Sequence, residues 1–137
     1  MIVVATLAAL TVLAPTASAS SDKDGAFHLA KVCNAAGDTC VVTVSNSRSI
    51  PVGTTITYVG ASFDALVATI HADHGTATGT CNIQPVIDGT GPGRCTFDGG
   101  TGSLRHLHLT VAVTTIDFET WFWDGTPCNE HRSGQSG

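Results

Sequence analysis

The stretch from Cys81 to Thr115 limits most strongly what this chain can fold into, because it combines two glycine-rich turns with a long alternating strand. Its sequence reads CNIQPVIDGTGPGRCTFDGGTGSLRHLHLTVAVTT. The first turn lies between Cys81 and Cys95, and the second, at Asp98–Gly102, precedes the strand. Tight turns join strands that are antiparallel neighbours, so this stretch predicts a β-meander.

The same alternation of strand-forming runs and turns continues on both sides of this stretch. Runs rich in Val, Ile, Thr and Phe are separated by Gly, Asn, Asp and Pro, and no segment shows sustained helical periodicity, although Ala61–Ala68 could hold one helical turn. Evenly spaced short strands predict an all-β fold, namely a small antiparallel up-and-down barrel of about eight strands, with a β-sandwich as the alternative. The candidate strands are Ala26–Val32, Cys40–Ser47, Thr54–Val59, Leu66–Ile70, Ala77–Ile83, Gly93–Phe97, Ser103–Thr115 and Phe118–Trp123.

The amino terminus has the pattern of an export signal. The first 19 residues carry no charged side chain, and an apolar run ends at Pro15 before the small-x-small sequence Ala17-Ser18-Ala19. This pattern predicts a signal peptide over 1–19 and a secreted protein, since the apolar run is short for a membrane anchor of about 20 residues. A single β-barrel domain over 20–126 and a flexible polar tail over 127–137 complete the predicted organisation.

The charge balance narrows the range of partners. With only six Lys and Arg and a formal net charge of −5, the chain has no basic stripe for phosphates, so nucleic acid is not an expected partner. We also expect no membrane contact after signal cleavage and no cofactor. The sequence leaves open the oligomeric state and whether the ligand is a small apolar molecule or a carbohydrate.

The five cysteines lie at positions 33, 40, 81, 95 and 128. In an exported chain they are interpreted first as disulfides, and their proximity in sequence favours Cys33–Cys40 and Cys81–Cys95. Cys128 is then left over as a free thiol, as an intermolecular bridge, or as a partner in a different pairing. A structural zinc site needs ligand pairs such as CxxC, and there are none.

Two groups of residues are candidates for a ligand site. His106 and His108 lie two apart in the predicted strand, so they could present two imidazoles to one metal ion. The alternative is that both histidines are exposed on the face of the strand that points away from the core. Because no complete set of metal ligands is visible in the sequence, we predict no metal site. Trp121 and Trp123, with Glu119, could form an aromatic platform for a sugar. The alternative for the two indoles is packing in the core.

Motifs for catalysis are absent from the sequence. There is no Gly-x-Ser-x-Gly nucleophile elbow, and the glycines at 89–93 lead into a strand rather than the helix of a phosphate-binding loop. The sequence therefore favours a protein that is not an enzyme, and the catalytic residues remain unknown.

Several motifs resemble those of a group of uncharacterised secreted bacterial β-barrel proteins. They are GRCTFDGGTG at 93–102, a long strand that contains His108, WDGT at 123–126, and SNSRSIPVGTTITY at 45–58. The glycine-rich turns are also similar, more distantly, to the allene oxide cyclase and dirigent-like barrel superfamily, and that resemblance implies an eight-stranded antiparallel barrel. No catalytic residue of the cyclases can be placed on this chain.

These observations lead to one expected function and two alternatives. We expect a non-catalytic binding or structural module that is stabilised by disulfides. A cyclase-like or isomerase-like enzyme that acts on an apolar small molecule in the barrel lumen is the first alternative, and a carbohydrate-binding module is the second.

Overall fold

The structure is a closed barrel of eight antiparallel strands. The computed structural model describes residues 26–125, so the predicted signal peptide, the predicted tail and Cys128 lie outside the described residues. Each strand pairs with the next one along the chain, and β8 pairs with β1. The predicted up-and-down barrel is confirmed. The strands are β1 (Phe27–Cys33), β2 (Thr39–Ser45), β3 (Thr55–Val59), β4 (Leu66–Ala72), β5 (Gly75–Asn82), β6 (Gly93–Asp98), β7 (His108–Thr115) and β8 (Thr120–Gly125).

The connection between β5 and β6 differs from the tight turn that the sequence predicted. It contains a short helix, α1 (Gln84–Asp88), which has a proline in its first turn and ends at Gly89 with φ 73°. Proline is tolerated there because the first N–H groups of a helix have no acceptor within the helix, and glycine accepts the left-handed conformation at little cost. Within Ala61–Ala68 no helix forms, but Ala65 N–H donates a hydrogen bond to Ser62 O in a single turn before β4 begins at Leu66.

The long strand predicted for Ser103–Thr115 is wrong over its first five residues. A 3-10 turn occupies Gly102–Leu104, and β7 begins only at His108. The turn buries Leu104 in the core. Gly102 makes it possible, because its φ is 57° and a Cβ at this position would collide with the backbone oxygen of His74.

Period-two alternation directs one face of every strand into the barrel. The middle of the lumen is filled by side chains, which is usual for a barrel of about eight strands. At its centre the rings of Phe97 and Trp123 pack with centroids 5.4 Å apart. Other fully buried residues around them include Leu29, Ile56, Ile70, Val111 and Val113.

Both predicted disulfides are present, and each joins residues that lie directly opposite each other on neighbouring strands. Cys33 pairs with Cys40 between β1 and β2, and Cys81 pairs with Cys95 between β5 and β6. All four half-cystines are buried. Two disulfides in so small a domain fit an oxidising environment.

Removing the Cys81–Cys95 disulfide with Cys81→Ala and Cys95→Ala should lower the free energy of unfolding by about 3 kcal/mol, because the bridge closes the longer loop and restricts the unfolded chain more. The bridges span 14 and 7 residues of sequence. The matched double variant at Cys33 and Cys40 should therefore lose slightly less, about 2.5 kcal/mol. Urea unfolding of both variants measures the difference. No loss in either variant would contradict the entropic argument.

Candidate functional site

A cavity of about 350 Å³ lies at the end of the barrel where the β1–β2, β3–β4, β5–β6 and β7–β8 connections meet. Its volume falls within the range of about 300–1,000 Å³ that is usual for small-molecule pockets. Several lining residues, such as Gly37, Phe63 and Phe118, are exposed, so the cavity opens to solvent. The apolar and aromatic part of its lining includes Phe63, Leu66, Ile83, Ile87, Val113, Phe118 and Trp121; the polar part includes Lys31, Asp38 and Tyr58.

Lys31 lines this cavity although only 1% of its surface is exposed. It lies on the inward face of β1, two residues after Leu29 and two before Cys33. Three aromatic rings surround the amino group, since Nζ lies 4.7 Å from the centroid of Trp123, 5.6 Å from Tyr58 and 5.8 Å from Trp121. Within residues 26–125, the ion pairs are both made by histidines and none involves Lys31.

Burial controls the charge of this amine. Removal from water penalises the ammonium form and lowers the pKa of Lys31 to about 7. The aromatic faces favour the ammonium, but no carboxylate of residues 26–125 lies within ion-pair distance to restore the ordinary pKa. A substantial fraction of Lys31 is therefore a neutral amine at neutral pH, and a neutral amine can accept a proton or act as a nucleophile.

Two hydrogen-bond donors accompany the amine. Burial raises the pKa of Tyr58, so its phenol keeps its proton. The indole N–H of Trp123 approaches the Tyr58 hydroxyl and opposes that rise slightly, but it does not reach hydrogen-bond geometry, and Nε1 has no partner among the described residues. The inner end of the cavity thus combines an amine and a phenol in apolar surroundings, and the indole of Trp123 lies against the amine inside the barrel.

The predicted tryptophans are near this site, but in a different arrangement from the predicted platform. Trp121 lines the cavity, whereas Trp123 lies inside the barrel with 0% exposure. Both indoles face the interior, so they do not form an exposed surface together. Glu119 lies in the turn before β8, where its backbone oxygen accepts a hydrogen bond from Cys33 N–H, and its side chain is exposed outside the cavity lining.

The predicted histidines lie elsewhere and apart from each other. His106 is in the turn before β7 and His108 is the first residue of the strand, so they do not share a strand face. His108 Nδ1 lies 2.6 Å from Asp98 Oδ1. Among residues 26–125, no three His, Cys, Asp or Glu side chains are close enough to hold a metal ion.

Lys31 and Tyr58 were missed by the sequence interpretation, although a signal for both exists. Lys31 follows Leu29 by two positions in a predicted strand, and Tyr58 follows Ile56 by two positions in another. Period two therefore places each on the face of a buried residue. A charged residue on a core face is rare enough to mark a candidate site.

Over the described part of the chain, no helix is long and apolar enough to cross a membrane. Comparison of the chain with protein-family models, with curated proteins and with solved structures finds no match.

Proposed function

We propose that this barrel is an exported, non-catalytic protein that binds a small apolar molecule in the cavity at the end of the barrel. The observation that carries the proposal is the cavity itself, which combines apolar walls with one buried amine. A solid lumen below it and two disulfides around it provide a rigid frame, which limits the entropy lost when a ligand binds.

The lining indicates which chemistry the ligand should have. Phe63, Leu66 and Trp121 offer contact surface for rings or hydrocarbon chains. Lys31 and Tyr58 supply polar groups at the inner end. The best ligand is therefore a compact apolar molecule with one hydrogen-bond acceptor at its end.

One observation favours the enzymatic alternative of a cyclase or isomerase that acts on an apolar molecule. A base is most useful when its pKa lies near the working pH, and burial brings the pKa of Lys31 to about 7. The carbohydrate alternative has less support, because Trp123 is buried and its ring faces the barrel interior.

The binding proposal predicts that 2-naphthylmethanol, a flat apolar alcohol, binds to the wild-type protein in isothermal titration calorimetry. Leu66→Trp fills the cavity and should weaken this binding at least about tenfold, which corresponds to 1.4 kcal/mol. Val67→Trp is the matched control, because Val67 lies on the same strand and is 43% exposed. Absence of binding to the wild type, or equal loss in both variants, would reject this site.

A further inference from the structure

We infer that Lys31 is an imine-forming lysine that captures apolar aldehydes entering the cavity. The inference rests on the proposed function, since it requires that a small apolar molecule reaches the inner end of the cavity. It adds a chemical class, the aldehyde, and a covalent bond to one named atom, Nζ of Lys31.

The surroundings of Nζ support this assignment. The amino group is enclosed by the rings of Tyr58, Trp121 and Trp123, and Lys31 is itself part of the cavity lining. Lys31 is 1% exposed and lines the cavity, so a ligand that contacts this side chain comes from the cavity. A molecule with its hydrocarbon part between Phe63 and Leu66 would present its polar end to Nζ.

The protonation state of the amine suits this reaction. An ordinary lysine with a pKa of about 10.4 is almost wholly an ammonium at neutral pH and does not attack carbonyls. Burial brings the pKa of Lys31 to about 7, and lysines activated by removal from water form Schiff bases. The other titratable groups that line the cavity are Tyr58 on β3 and Asp38 in the β1–β2 connection.

The reaction needs no additional reagent. The lone pair of Nζ forms a bond to the carbonyl carbon, and the oxygen takes up a proton to give a carbinolamine. The nitrogen then forms a second bond to this carbon while the C–O bond breaks, and the oxygen leaves as water with the two amine protons. Amine and aldehyde thus give imine and water.

The phenol beside the amine would position the carbonyl oxygen. Tyr58 holds its proton because burial raises its pKa, so its hydroxyl can donate a hydrogen bond to that oxygen. Apolar walls around the product would slow its hydrolysis by keeping water away.

The chain provides its own control, because it contains only two lysines, Lys23 and Lys31. Full-length mature protein is incubated with 2-naphthaldehyde and sodium cyanoborohydride at neutral pH, which reduces any imine to a stable amine. Mass spectrometry of peptides then locates the naphthylmethyl group. We expect Lys31 to be labelled at least about tenfold faster than Lys23, because far more of its amine is neutral. Equal or slower labelling of Lys31 would overturn the inference.

A second variant and a second ligand complete the test. Lys31→Arg keeps a cation but cannot form the imine, so it should lose the label at this position while Lys23 and the terminal amine keep theirs. If this variant fails to fold, the ratio of the two lysines in the wild type still decides the question. Binding of 2-naphthylmethanol without labelling of Lys31 would reject imine formation and leave the binding site intact. Failure of both ligands would reject the proposed function as well.

Discussion

Replacing Lys31 with methionine should stabilise the barrel at neutral pH by about 3–4 kcal/mol. Lys31 is 1% exposed and has no ion-pair partner within residues 26–125. Folding must therefore either bury an ammonium or remove its proton, and the pKa falls from an ordinary value of about 10.4 to about 7. Methionine fills a similar volume without that cost, although it loses the attraction of the cation to the aromatic rings.

The pH dependence tests the cause of this difference. Because the folded-state pKa of Lys31 is depressed, the unfolded chain binds more protons between about pH 7 and about pH 10, and the stability of the wild type rises with pH across this window. We expect a gain of about 3 kcal/mol between about pH 7 and about pH 9.5. The pKa of Tyr58 is raised and acts in the opposite direction at higher pH, so the measurement ends there.

Urea unfolding of the wild type and of Lys31→Met at several pH values measures both effects. The variant retains Tyr58 and Asp38, the other titratable groups that line the cavity, so the difference between the two curves isolates Lys31. Val32→Met is the matched control, because Val32 lies next to Lys31 on β1 but is 41% exposed. Parallel curves for the wild type and Lys31→Met would show that burial of the amine carries no such cost.

The second large effect is expected for Trp123→Ala, which should lower the free energy of unfolding by about 3–5 kcal/mol. Trp123 is 0% exposed and packs against Phe97 in the centre of the lumen. Its removal leaves a hole next to Lys31 that neighbouring strands cannot close, because the hydrogen-bonded ring fixes their spacing.

Trp121→Ala is the control for this prediction, because it removes an indole from the same face of the same strand. Trp121 is only partly buried at the cavity wall, so its loss should cost less than half as much. Free indole should bind to the hole in the Trp123→Ala protein and raise its melting temperature, and it should have less effect on the wild type. Equal destabilisation of the two variants would mean that the centre of the lumen is not the main packing site.

Much of the fold could be predicted because the physical signals are local. Alternation with period two, together with the turn residues between the runs, located eight strands, and the proximity of the cysteines along the chain indicated both disulfides. Helix α1 was missed because five residues are too few to show a periodicity of 3.6. The start of β7 was missed because the alternation was extended back through Ser103–Leu107, although Leu104 is out of phase with the buried Leu109, Val111 and Val113. The turn that buries Leu104 depends on Gly102, where a Cβ would collide with the backbone oxygen of His74.

The candidate site could be predicted only in part. Trp121 was named, but as part of an aromatic platform with Trp123, because the sequence does not show which face of β8 is the interior. Lys31 on β1 and Tyr58 on β3 are separated by β2, and Trp121 and Trp123 come beside Lys31 only when β8 pairs with β1. Their environment depends on that closure, and so does the pKa of the amine.

The pairing of β8 with β1 also affects how fast the native protein unfolds. An open sheet can unfold from an edge strand, which loses its hydrogen bonds one after another. In this closed barrel every strand is hydrogen-bonded to a neighbouring strand on each side. Opening the barrel requires breaking all the hydrogen bonds between two neighbouring strands before any strand is released. The two disulfides also join two of these strand pairs covalently. The lifetime of the native protein would then be set by a high barrier to unfolding, so it could persist without chaperones even if its equilibrium stability were modest.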